Sequence, residues 1–183
     1  MKRTHIPLNG LRVFDVEKLE THGGSLRVFV CHADADHETS EAVGDARAEE
    51  LDAGLDGAEG YAGYDEKVAR IRADFLRFID TAKAEGKSVA GYGAAAKGNT
   101  FLNYCGADAG TLAFIADRSP AKSGKFMPGS AIPVVQPDEI DAAKPDYLLI
   151  LPWNLREEIG AQMSGIRDWG GRFVVAIPNV QVF

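Results

Sequence analysis

The sequence predicts an α/β protein with a Rossmann-like, doubly wound parallel sheet of about five strands, preceded by a long helix and an N-terminal strand pair. Three observations carry this expectation. Five short apolar runs, SVAGY, TLAFIAD, AIPVV, DYLLILP and RFVVAIP, are separated by helical or loop segments, and strands that alternate with helices form parallel sheets. The first run leads straight into a glycine-rich turn and a helix start, SVAGYGAAAKGNT at residues 88–100. Ahead of it, Val68, Ile71, Phe75, Phe78, Ile79 and Ala82 recur at helical spacing, and such a stripe needs a sheet to pack on.

The elements follow in chain order. LRVFDVEKL and LRVFVCHA are two β-rich runs joined by the polar, glycine-containing THGGS, so they are expected to pair. Residues 34–63 are acidic, rich in Ala, Asp, Glu and Gly and nearly free of large apolar side chains, which reads as a surface connection with one weak helix. The expected organisation is therefore a strand pair over residues 1–40, an acidic linker over 41–64 and the Rossmann-like domain over 65–183. The apolar stripe predicts a helix over 65–85 that stops at Gly86. Further helices are expected over 96–105, 137–142 and 155–168, and right-handed crossovers put them on both faces of the sheet. Counting the SVAGY strand as the first, the natural strand order is 3-2-1-4-5, with a ligand crevice where the order reverses.

Composition narrows the function classes. The chain has 183 residues, enough for one domain with a full core plus an appendage. A net charge of -7, with no clustered Lys and Arg, argues against a nucleic-acid-binding surface. Lys97, Arg118, Lys122 and Lys125 nevertheless fall near predicted strand ends, where they supply local positive potential. Cys31 and Cys105 are far apart, with no C-x-x-C and no histidine array, so no metal site is expected. No apolar stretch approaches the roughly 20 residues that span a bilayer, and MKRTHIPLNG lacks the apolar centre of a signal peptide. A cytoplasmic location is the expectation.

The candidate ligand loop starts at the end of the first sheet strand. Gly91, Gly93 and Ala96 fill the G-x-G-x-x-G/A positions, where bare backbone lets a phosphate approach the amides of a helix start. Tyr92, Ala94 and Gly98 lie within the same loop, Lys97 adds a charge, and Asn99 and Thr100 add polar side chains. The other reading of the glycines is a tight strand-to-helix turn packed for its own sake, and the strand-to-helix context favours the ligand loop. Asp117 ends the next strand, where an acid meets ribose hydroxyls in dinucleotide-binding folds, and Arg118 follows it. The other reading is a polar turn, Asp117-Arg118-Ser119-Pro120, whose Asp bonds local amides. Pro152, Trp153 and Asn154 end the fourth strand beside the glycine loop, where Trp153 either stacks on a sugar or base or covers the sheet as core. His22, Gly23, Gly24 and Arg27 lie between the N-terminal strands and read as an anion or sugar contact or as a plain hairpin turn. No Ser-His-Asp order, metal triad or carboxylate pair stands out, so no catalytic residue is assigned.

Five strings, FDVEKLETHGGSLRVF, GYGAAAKGNTFLNYCG, DRSPAKSGKFMPGSAIPV, DYLLILPWNLREEI and WGGRFVVAIPNV, together resemble the C-terminal part of S-adenosylmethionine-dependent sugar C-methyltransferases. Those enzymes add a methyl group to a carbon of a nucleotide-linked keto-sugar on the way to branched deoxysugars. The resemblance implies a three-part design: a zinc-binding module, a central domain for the methyl donor, and a Rossmann-like domain that helps to hold the nucleotide-sugar. It covers the third part and the end of the second, so the strand pair would be the last two strands of the methyltransferase domain. The family's cysteine cluster, its donor glycine motif and its Tyr-x-Glu-His type segment have no match in these residues.

The resemblance therefore implies a portion that binds a nucleotide-linked deoxysugar, of thymidine-diphosphate type, without turning it over. S-adenosylmethionine serves the full-length family, and no cofactor is expected on this chain alone. Two other readings stay open: a nicotinamide-dependent oxidoreductase using the same glycine loop, and a non-catalytic partner of a separate methyltransferase subunit. Two strands cut from a parent sheet expose an edge and an apolar face, so a homo-oligomer or docking to a methyltransferase domain is expected.

Overall fold

The protein is described here from a computed structural model, covering residues 9–21 and 24–183. The chain divides into two compact units between Asp65 and Glu66.

In the first unit, β1 (Leu11–Leu19) and β2 (Ser25–His32) pair antiparallel. A bulge between Val13 and Asp15 shifts the register. Val13 lies opposite Val30 and Val16 opposite Val28, so these side chains share one face of the ribbon. Leu26, Val28 and Val30 are 51%, 46% and 40% exposed, which leaves that face uncovered within the unit. A helix, α1 (Glu41–Asp52), forms in the acidic stretch and lies against β1. Its Val43 is buried, and Phe14 of β1 stacks on His37 with ring centroids 4.7 Å apart.

The second unit is built on a six-stranded sheet of order β5-β4-β3-β6-β7-β8. Its strands are β3 (Val89–Tyr92), β4 (Ile115–Ala116), β5 (Val134–Val135), β6 (Tyr147–Ile150), β7 (Arg172–Val175) and β8 (Gln181–Val182). The first five run parallel, in the 3-2-1-4-5 order expected, and β8 adds an antiparallel edge.

Alternation along the central strands builds two cores. Val89, Leu149, Leu151 and Val174 face one side, where α2 (Tyr64–Ala84) brings Phe75 and Ile79, and α3 (Ala96–Cys105) brings Phe101 and Leu102. Ala90, Tyr92, Leu148, Ile150, Phe173 and Val175 face the other, under Ile140 of α4 (Asp138–Ala143) and Ile159 of α5 (Arg156–Gln162). A sheet covered on both faces explains why these strands read as continuous apolar runs. The helix expected over 155–168 breaks at Met163, and Ser164–Trp169 continues as a 3-10 helix, because Ser164 and Gly165 are poor helix formers.

At the N-terminal ends of β3 and β6, Asp146 clasps the two strands. Lys87 Nζ donates to it at 2.8 Å, and the Ser88 amide and hydroxyl each donate at 2.9 Å. These bonds hold the Asp146 carboxyl down at about 2. The clasp sits at the opposite end of the strands from the loops described next. Among the described residues, no helix is long and apolar enough to cross a membrane.

Candidate functional site

The strand order reverses around β3, which lies between β4 and β6. The loops leaving the C-terminal ends of these three strands therefore come together, and ligands of open α/β sheets bind at such a point. Gly91 and Tyr92 end β3, Gly93, Ala94, Ala96, Lys97, Gly98, Asn99 and Thr100 come from the loop and helix that follow it, Asp117 and Arg118 from the second loop, and Pro152, Trp153 and Asn154 from the third.

Three glycines let the backbone come this close. Gly93 has φ +90°, and a Cβ built there would lie 2.6 Å from Pro152 Cδ. A Cβ on Gly98 would lie 2.7 Å from Leu151 Cβ, so α3 seats its first turn directly on the exit of β6. At Gly91 the obstacle is Ile115 Cγ1, at 2.9 Å. Ala96 is exposed at the helix start. Close packing of helix on strand, which the glycine pattern assigns to its third position, is thus made by Gly98.

Asp117 is 8% exposed and ties the first two loops together. Its Oδ2 accepts from the Ala94 amide at 2.7 Å and from Lys122 Nζ at 3.0 Å, and its Oδ1 accepts from the Ser119 amide at 2.8 Å. Lys122 also donates to the Ala94 carbonyl at 2.8 Å, closing the ring of contacts. Burial alone would raise the Asp117 pKa, but the Ser119 amide, the Lys122 ammonium and the Ala94 amide outweigh it and hold the carboxyl below its ordinary value. Lys122 is the partner that sequence reasoning saw only as a nearby charge; its place five residues after the acid was the available signal.

Lys97, on the first turn of α3, reaches across to the β6 loop. Its ammonium donates to Asn154 Oδ1 and lies 4.7 Å from the centroid of the Trp153 ring. None of the ion pairs among the described residues involves Lys97 or Arg118. Trp153 is half-buried and packs on the second core, while its ring also carries the Lys97 contact. Pro152 is buried beneath the loop. Arg118 makes one long contact, 3.4 Å, to Gln162 Oε1.

The other two polar residues of the helix start differ in their surroundings. Thr100 Oγ1 donates to the Ala96 carbonyl at 3.2 Å, and Asn99 Oδ1 is buried without a partner. Tyr92 is buried, and that burial raises its phenol pKa. Among the described residues, no three His, Cys, Asp or Glu side chains gather where they could hold a metal ion.

Residues 20–178 match the family described as C-methyltransferase C-terminal domain. The chain belongs to this family. It is also 40% identical, over 174 residues, to the C-methyltransferase NovU of Streptomyces niveus. That alignment takes in 95% of this chain and 41% of the relative, so the chain spans about two fifths of the length of the curated relative it matches.

Within this C-methyltransferase C-terminal domain chain, the remaining expected site residues belong to the first unit. Gly24 has φ +113° and donates its amide to the Thr21 carbonyl at 3.1 Å. Arg27 is held by Glu17 across the ladder at 2.8 Å, on an exposed surface. His22 and Gly23 lie outside the described residues.

Proposed function

We propose that this C-methyltransferase C-terminal domain chain holds a nucleotide-linked keto-deoxysugar, of thymidine-diphosphate type, for methylation at carbon by the longer enzyme. The observation that carries this reading is the convergence of Lys97, Trp153 and Asn154 at the switch point of the sheet. An ammonium with no carboxylate partner suits a diphosphate, and an aromatic face beside it suits a sugar or base. Arg118, at the end of the neighbouring strand, adds a second cation. These side chains bind and orient; the reading gives none of them a proton to move.

S-adenosylmethionine is the methyl donor the reading assigns to the full-length enzyme. The donor's ribose calls for a free acid at the end of the second sheet strand. Asp117, which stands there, has three of its roughly four acceptor positions taken by the protein itself. This chain's residues do not fit the donor, and no methyl-transfer step is derived for them.

Calorimetric titration tests the reading. The chain is expected to bind thymidine diphosphate and a thymidine-diphospho-deoxysugar and to give no heat with S-adenosylmethionine. Silence toward both nucleotides overturns it.

The same reading puts a domain boundary near residue 65, a cytoplasmic location, and a docking role on the strand pair. Val13, Val16, Leu26, Val28 and Val30 would meet the methyltransferase portion, and without it a second copy of the chain. Light scattering is expected to show more than the monomer mass at micromolar concentration, and Val28→Lys to restore the monomer.

A further inference from the structure

The ring face of Trp153 and the Lys97 ammonium occupy each other in the free protein. The ammonium is held by a neutral carbonyl, Asn154 Oδ1, and by the indole, 4.7 Å from its centroid. Neither the amide oxygen nor the indole carries a net charge, so a phosphate oxygen would add the attraction of opposite charges to the hydrogen bond that the ammonium already makes. The lysine stem has four rotatable bonds and starts on the rigid first turn of α3, so its head can swing without moving the backbone. Trp153 cannot follow, because it packs on the second core.

We propose that Lys97 is a displaceable cover on Trp153. When a diphosphate enters the crevice, the ammonium leaves the indole and Asn154 for the phosphate oxygens. The ring face it uncovers then takes the ring of the ligand. This rests on the nucleotide-sugar reading above, and adds that one exchange couples recognition of the diphosphate to the opening of the stacking surface. It also makes the indole the reporter of the event, since a cation over its face perturbs its emission.

The test uses the full chain carrying Trp169→Phe, so that Trp153 is the one emitting tryptophan; Trp169 bonds the carbonyl of Pro145, which precedes β6 at the end of that strand away from the crevice. If that variant fails to fold, the difference between the unmodified chain and Trp153→Phe supplies the same signal. Inorganic pyrophosphate and thymidine diphosphate are titrated in turn. Both are expected to change Trp153 emission saturably, at the concentrations where calorimetry reports binding. In Lys97→Ala the emission should start uncovered and respond little, while affinity for both probes falls at least about tenfold. Lys97→Met, which keeps the stem and loses the charge, should lose affinity equally but keep the ring covered. Thymidine diphosphate that binds without altering Trp153, or that binds Lys97→Ala as tightly as the unmodified protein, overturns the exchange and leaves the nucleotide reading standing. No binding of either nucleotide or nucleotide-sugar by the unmodified chain overturns both.

Discussion

Replacing Gly93 by alanine is expected to lower the melting temperature by about 10 °C, followed by circular dichroism. Two terms add. The backbone at φ +90° is one that an L side chain adopts at a cost of about 1–2 kcal/mol. The new methyl would stand 2.6 Å from Pro152 Cδ, and Pro152 is buried, so overpacking adds about 1–3 kcal/mol. A total near 3 kcal/mol converts to about 10 °C for a chain of this size. Gly86 serves as the comparison: its φ is +69°, but nothing lies within 4 Å of a Cβ there. Gly86→Ala should therefore show the backbone term alone. Equal shifts for the two variants would mean that Pro152 yields to the methyl and that the loop contact is soft.

Asp117→Ala is expected to destabilise the protein by about 3 kcal/mol, measured by urea unfolding. The substitution strips the Ala94 and Ser119 amides of their acceptor and leaves the Lys122 ammonium without its counter-charge. Asp117→Asn keeps the shape but loses the charge, and should fall between the two. The pH dependence has a definite sign. Because the folded protein holds the Asp117 carboxyl below its ordinary value, the stabilisation is present above about pH 4 and is lost as the pH falls through the depressed folded pKa. The difference in stability between the unmodified protein and Asp117→Asn should therefore shrink on acidification below about pH 4. A difference that is the same at pH 7 and pH 3 would show that the charge contributes nothing and that only the packing matters.

The strand order and the helices over residues 64–84 and 96–105 were legible because apolar periodicity and the glycine turns both reported them. The β8 strand was not, since two residues at an edge leave too short a pattern beside Pro178 and Asn179. The TLAFIAD and AIPVV runs read as full strands, yet only Ile115–Ala116 and Val134–Val135 pair. Their flanking apolar residues, such as Leu112 and Ile132, are buried by packing without a strand ladder. At the site, the position of Asp117 was readable from the end of its strand, whereas its partners were not. Which amides a carboxylate reaches depends on how Ala94 and Ser119 are folded back on it, 23 residues and 2 residues away. The meeting of Lys97 with Trp153 and Asn154 likewise spans 57 residues for the hydrogen bond, and emerges only when β3 and β6 lie side by side.

The ring of contacts through Asp117, Ala94, Ser119 and Lys122 bears on the entropy of binding. A glycine-rich loop left loose would have to be ordered by its ligand, at about 1–2 kcal/mol for each residue whose backbone freezes. Here the loop is already fastened, so that cost falls on folding instead. For the nucleotide-sugar proposed above, what remains to be ordered is the long side chains of Lys97 and Arg118 rather than the backbone of the loop.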